Sequence, residues 1–396
     1  MADEFDRIKR LPPYVFSEVN RIKAELRSKG EDIIDFGMGN PDMPTPSHII
    51  DKLKETVIKS GTGRYSVSRG IPGLRKAQSK YYKRRFNVDL DPEKEVIVTL
   101  GSKEGLANLA QAITSPGDII LSPNPSYPIH PYGFIIAGAS LRHLPTMDNG
   151  VFNSELFLER LDLSIRHSSP KPVALIVSFP SNPTAQVVSL DFYEELVKIA
   201  RKHKTYILSD LAYAEIYFDE KPPPSILQVK NAKNIAVEFT SMSKTYAMAG
   251  WRIGFAVGNQ KLISALTRIK SYLDYGAFTP IQVAATAALN GPQKCVSEIR
   301  SIYQSRRDVL IESMARVGWD IPSPEASMFA WAPIPKKYNK KGSLKFAKDL
   351  MVKAHVAVAP GIAFGEYGEG FVRIGLVENE QRIRQAAKNI KKILSN

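Results

Sequence analysis

Short apolar runs alternate with amphipathic stretches along most of the chain. Residues 96–99, 119–121, 140–144, 173–178, 205–208, 235–239 and 253–257 are brief and rich in aliphatic and β-branched side chains, which is the pattern of buried strands. A helical stretch separates each from the next, and that alternation predicts an α/β fold with a mostly parallel sheet between helices. Ligands then collect at the carboxyl ends of the strands.

The flanks read differently. Residues 15–29 form a helical pattern ended by Gly30, after the segment Leu11-Pro12-Pro13-Tyr14, and 33–36 form a short strand entering Gly37-Met38-Gly39-Asn40-Pro41-Asp42. Helices are predicted over 46–59, 71–85 and 105–114, then over 261–273, 280–289 and 296–317. Beyond Pro322-Ser323-Pro324 come strands at 328–331, 354–358 and 372–374 and helices at 344–353 and 380–394. This predicts a large domain over 46–290 and a smaller α+β domain built from 291–396 with an N-terminal arm, 1–45.

Composition narrows the class. At 396 residues, with 43% hydrophobic and 24% charged residues, the chain has the balance of a globular protein and length for more than one core. No apolar run approaches the ~20 residues that span a bilayer, and Met1-Ala2-Asp3-Glu4-Phe5 lacks the basic and apolar regions of a secretory signal. A cytoplasmic protein without membrane partners is expected. The single cysteine, Cys295, excludes an internal disulfide, and the six histidines include no i, i+4 pair, so no metal site is expected. The net charge of +14 is spread over many helices without a nucleic-acid module, so a solvated surface is expected and no nucleic-acid partner.

The chemistry converges on Ser241-Met242-Ser243-Lys244-Thr245-Tyr246-Ala247-Met248-Ala249-Gly250-Trp251-Arg252-Ile253-Gly254. An apolar strand delivers Lys244 between hydroxyls, and a partly desolvated amine can condense with an aldehyde. Ser241, Ser243 and Arg252 could bind a dianionic phosphate; an ordinary loop lysine would fit the same short pattern. Gly101-Ser102-Lys103-Glu104 opens a helix, where free N–H groups favour an anion, or where Ser102 is simply an N-cap. Asp210 ends a strand, where it is either a turn residue or a partner for a cationic ring nitrogen. Arg373 interrupts the apolar Phe371-Val372-Arg373-Ile374-Gly375 and is either ion-paired or poised for a carboxylate.

The lysine segment resembles the signature of class I/II aminotransferases of pyridoxal-phosphate fold type I, in particular the bacterial glutamate–pyruvate (alanine) aminotransferases. The resemblance extends from about Arg10 to the C-terminus and includes Gly-Asn-Pro-Asp, Tyr-Ser-x-Ser-Arg-Gly, Gly-Ser-Lys-Glu-Gly and Asp-Leu-Ala-Tyr. It implies pyridoxal 5'-phosphate as cofactor and Lys244 as the Schiff-base lysine and proton carrier. Asp210 would then meet the pyridine nitrogen, with Tyr213 and Asn182 at the phenolic oxygen and Tyr127 stacked on the ring. Ser102, Lys103, Ser241 and Arg252 would lie around the cofactor, and Tyr65 would reach the phosphate of a neighbouring subunit in a homodimer. Gly39, Asn182 and Arg373 would hold the substrate carboxylate.

The implied reaction is ping-pong transfer of an amino group between L-alanine or L-glutamate and the corresponding 2-oxo acids. The segment 272–280 has no counterpart to the arginine by which the dicarboxylate-specific aspartate branch reads its substrate; Lys103 could meet a distal carboxylate instead. Three alternatives stand: another amino donor such as aspartate, a pyridoxal-dependent lyase or synthase on the same fold, and a non-catalytic regulator.

Overall fold

A computed structural model describes residues 5–13, 15–148 and 150–394. Tyr14 and residues 1–4, parts of the N-terminal motifs read above, lie outside them. The centre is a seven-stranded sheet of β1 (Val96–Thr99), β2 (Ile119–Asn124), β3 (Ser140–Pro145), β4 (Ala174–Ser178), β5 (Tyr206–Asp210), β6 (Ala236–Ser241) and β7 (Gly254–Gly258), in the order β1-β7-β6-β5-β4-β2-β3. The pairs β6–β5, β5–β4, β4–β2 and β2–β3 are parallel, whereas β7 runs antiparallel to both neighbours.

That antiparallel strand corrects the expectation of a helix between every pair of strands. Only a four-residue helix, Met242–Thr245, and a 3₁₀ turn, Ala249–Trp251, separate β6 from β7. The connection is too short for a parallel crossover, so the chain turns back beside its own strand. Gly254 therefore pairs with both Ser241 and Thr99, and the start of β7 reaches the edge where its neighbours end.

Helices cover both faces of the sheet. Leu106, Leu109, Phe134, Leu262 and Leu266 pack with Ile97, Ile120, Ile176 and Phe239 on one side; Tyr82, Phe157, Tyr193 and Leu196 pack with Val98, Leu121, Leu175 and Phe255 on the other. Such burial contributes roughly 25 cal/mol for each Å² of apolar surface removed from water. This two-faced burial explains why the strands read as continuous apolar runs.

A separate core gathers Ile34, Phe36, Tyr303, Leu310, Phe329, Phe346, Ile374 and Ile390. It rests on an antiparallel sheet of Phe329–Pro333, Phe371–Gly375 and Ala359–Pro360, and Ile34–Asp35 pairs in parallel with Val356–Ala357. The continuous strand expected at 354–358 is broken. Ala354 closes the helix Ser343–Ala354, and His355 caps it with φ +55°, so extended pairing begins only at Val356. A hairpin of Met147–Asp148 and Val151–Phe152, not anticipated from the pattern, follows β3.

Candidate active site

The strand ends converge on a cavity of about 440 Å³. Its wall includes Gly39, Ser102, Lys103, Tyr127, Asn182, Asp210, Tyr213, Ser241, Lys244, Arg252 and Arg373. Tyr65 is not among them: it is 85% exposed, with its ring centroid 4.6 Å from that of Tyr275.

The short β6–β7 connection brings Lys244 and Arg252 to one rim. Arg252 has φ +56°, donates through Nη1 to Ala249 O at 2.8 Å and through Nη2 to Leu100 O at 3.1 Å. The approach is possible because Gly101 has no side chain; a Cβ there would lie 2.1 Å from Arg252 Nη2, and its φ of +88° already favours glycine. Gly101 is the cap of the helix Ser102–Ile113, and Ser102 is its first helical residue. The N-capping alternative for Ser102 is thus corrected: Gly101 takes the cap position, and Ser102 is among the residues that line the cavity. Ser241 caps the next short helix by accepting from Ser243 N–H at 3.1 Å.

Lys244 Nζ donates to Gly39 O at 2.9 Å. Burial, followed by the nearby charges of Arg373 and Arg252, lowers its pKa from 10.5 to about 8. This is the environment that makes an amine available as a nucleophile or base near neutral pH. Gly39 is sterically required: a Cβ would meet Phe329 Cζ at 2.7 Å.

Asp210 is buried at the carboxyl end of β5. Its Oδ1 accepts from Ala212 N–H at 3.2 Å, and its Oδ2 lies 2.9 Å from Nε2 of the fully buried His130. Sequence reasoning missed His130; 80 positions separate the pair, and only the helix after β2 brings it behind β5. Tyr127, on the same connection, meets the His130 ring edge-on at 5.9 Å, and Lys103 Nζ lies 5.7 Å from the Tyr127 ring. Burial, followed by the charge of Asp210, raises the Tyr127 pKa.

Arg373 is buried and has amide and carbonyl acceptors. Nη1 donates to Asn182 Oδ1 at 2.9 Å, Nη2 to Gly37 O at 3.0 Å, and the guanidinium lies over Phe329 and Phe364, 4.1 and 4.8 Å from the ring centroids. A guanidinium fork of this kind can grip a carboxylate through two parallel hydrogen bonds. Asn182 also donates to the Tyr213 hydroxyl at 3.5 Å, and burial raises the Tyr213 pKa. Phe16, Asn20 and Met38 complete the mouth of the cavity, another contribution not read from the sequence.

This arrangement places one low-pKa amine, one buried carboxylate with a histidine behind it, three serines beside Arg252 and a buried guanidinium around a single cavity. Among the described residues no helix is long and apolar enough to cross a membrane.

Residues 31–390 match the family model for aminotransferase class I and II. The chain is 61% identical over 394 residues to a putative aminotransferase, AatC, of Rhizobium meliloti, covering 100% of this chain and 96% of that protein. It is 54% identical over 387 residues to the glutamate-pyruvate aminotransferase AlaC of Escherichia coli, covering 98% and 93%. Among solved structures, substrate-bound BacF from Bacillus subtilis superposes with a TM-score of 0.90 at 34% identity, covering 99% and 98%. With the family model spanning residues 31–390 and a relative 54% identical over nearly the whole length, the chain belongs to the class I and II aminotransferases.

Proposed function

We propose that the chain is a pyridoxal-5'-phosphate-dependent aminotransferase that exchanges amino groups between L-alanine or L-glutamate and pyruvate or 2-oxoglutarate. The observation that carries this reading is the convergence of Lys244, Asp210 and Arg373 on one cavity. The cofactor fits the donor set: Gly101 leaves room beside Arg252, and Ser102, Ser241 and Ser243 line the same rim for a phosphate. When bound, the cofactor supplies the electron sink that makes the amino acid's Cα–H acidic.

The chain's own residues supply the rest. Arg373 binds the α-carboxylate through two parallel hydrogen bonds and, with Asn182 and Gly39, orients the Cα–H bond. Lys244 takes the Cα proton and returns one on the same face, a task suited to an amine with a pKa near 8. Asp210, held by His130 and Ala212, would keep a proton on the pyridine nitrogen of the bound cofactor. Tyr213 and Asn182 would hold the phenolic oxygen of the cofactor, Tyr127 would lie against its ring, and the two half-reactions would proceed in ping-pong order.

The alanine–glutamate pair is supported by the likeness to the E. coli glutamate-pyruvate aminotransferase. Lys103, on the cavity wall beside Tyr127, meets the distal carboxylate of glutamate and leaves it unfilled for alanine. We also assign residues 46–290 to a large cofactor domain, with 1–45 and 291–396 forming the arm and small domain, and place the protein in the cytoplasm as a homodimer in which Tyr65 serves the neighbouring site.

The test is spectroscopic and chemical. Purified protein is titrated with pyridoxal phosphate, then mixed separately with L-alanine, L-glutamate and L-aspartate, and each 2-oxo acid is measured. Visible absorption that requires Lys244, with pyruvate and 2-oxoglutarate formed stoichiometrically and little oxaloacetate, is expected. Fastest conversion of aspartate would overturn the substrate pair, and no cofactor-dependent absorption would overturn the whole reading.

A further inference from the structure

Behind the rim that carries Arg252 lies a buried ammonium. Lys270, on the helix Gln260–Leu273, is fully buried, with Nζ 2.9 Å from Glu104 Oε1 and 2.7 Å from Asp274 Oδ2. One carboxylate would balance its charge, yet it meets two. Each carboxylate also accepts a backbone N–H: Glu104 Oε2 from Leu100 at 2.9 Å, and Asp274 Oδ1 from Gly276 at 2.6 Å.

The Glu104 contact leads directly to that rim. Its carboxylate fixes the N–H of Leu100, and the carbonyl of the same Leu100 is the acceptor for Arg252 Nη2. Both polar backbone groups of the residue before Gly101 are therefore fixed, one by the buried triad and one by the arginine at the rim. Asp274 gives the ammonium a second anchor besides Glu104. A buried charge cluster is costly to assemble and an apolar core would commonly be as stable, so its distinctive product is the fixed position of the Glu104–Leu100 corner.

We propose that Lys270 is a positioning residue for phosphate recognition: through Glu104 and Leu100 it seats Arg252 and thereby sets the affinity for a phosphate monoester, independently of the rest of the ligand. The inference rests on the pyridoxal-phosphate reading of the cavity. It assigns Lys270 no contact with ligand and no proton to carry.

The experiment compares pyridoxal phosphate with pyridoxal, which shares the ring and aldehyde but lacks the phosphate. Dissociation constants for both are measured by absorbance titration of wild type, Lys270→Met and Glu104→Gln, with thermal unfolding recorded for each. In Lys270→Met, affinity for pyridoxal phosphate falls about tenfold or more while that for pyridoxal is unchanged. Glu104→Gln keeps an acceptor for Leu100 N–H but loses the charge facing Lys270, so it shows the same selective loss to a smaller degree. If Lys270→Met has no cooperative unfolding transition, Glu104→Gln decides the matter. Equal weakening of both ligands, or weakening of neither, overturns the positioning role. Wild type that binds pyridoxal phosphate while the variants bind it equally well refutes this inference alone; wild type that does not bind it refutes the cofactor reading as well.

Discussion

His130 Nε2 lies 2.9 Å from Asp210 Oδ2, and together they form a fully enclosed imidazole behind a cavity-facing carboxylate. The histidine does not line the cavity itself, so its influence runs through the two lining residues it meets, Asp210 and Tyr127. A hydrogen bond to a charged group contributes about 1.5–3 kcal/mol.

Replacing His130 by Phe keeps a buried ring and removes that bond. The expected outcome is a fall in kcat/KM of about ten- to a hundredfold with a smaller change in KM for the amino acid. Steady-state kinetics beside a melting curve checks it. Unchanged kinetics in a stably folded variant would show that Asp210 holds its place without the imidazole.

Stability without cofactor should depend on pH through Lys244. Its pKa is about 8 in the folded chain against an ordinary 10.5, first because of burial and then because of Arg373 and Arg252. Between those values the unfolded chain binds more protons, so stability rises with pH across that window. Below pH 8 the full cost, on the order of 3–4 kcal/mol, is present. Lys244→Met apoprotein should therefore be more stable than wild type at pH 7, with the gap narrowing from pH 8 toward 10.5 in urea melts. A gap independent of pH would count against the depressed pKa.

Gly101→Ala should act on Arg252. The new Cβ would meet Nη2 at 2.1 Å and sit at φ +88°, so the arginine is pushed from Leu100 O and the backbone is strained by about 1–2 kcal/mol. Weaker binding of pyridoxal phosphate by about tenfold is expected in an absorbance titration, with a lowered melting temperature. Retention of full affinity would mean that Arg252 does not hold the phosphate.

Lys103→Met should separate the substrates. The ammonium lies beside Tyr127 on the cavity wall, where a second carboxylate can pair with it. Glutamate and 2-oxoglutarate should lose about tenfold in kcat/KM while alanine and pyruvate change little. An equal loss for both pairs would move Lys103 from substrate selection to general cofactor support.

Much of this protein is determined locally and is legible in its sequence. Apolar runs with both faces buried mark the strands, amphipathic stretches mark the helices, and the motifs around Lys244, Asp210, Asn182 and Arg373 stand at strand ends or within one buried strand, as expected from their neighbours. Tertiary structure decided what depends on meetings between distant segments. The direction of β7 follows from a connection too short for a crossover, and it is that reversal which sets Arg252 beside Leu100 and Gly101. Likewise, nothing in the spacing of His130 and Asp210, or of Lys270 and Glu104, announces their contact. Periodicity records which face of an element is buried; it does not record which other element covers that face, and the partners of buried charges are chosen there.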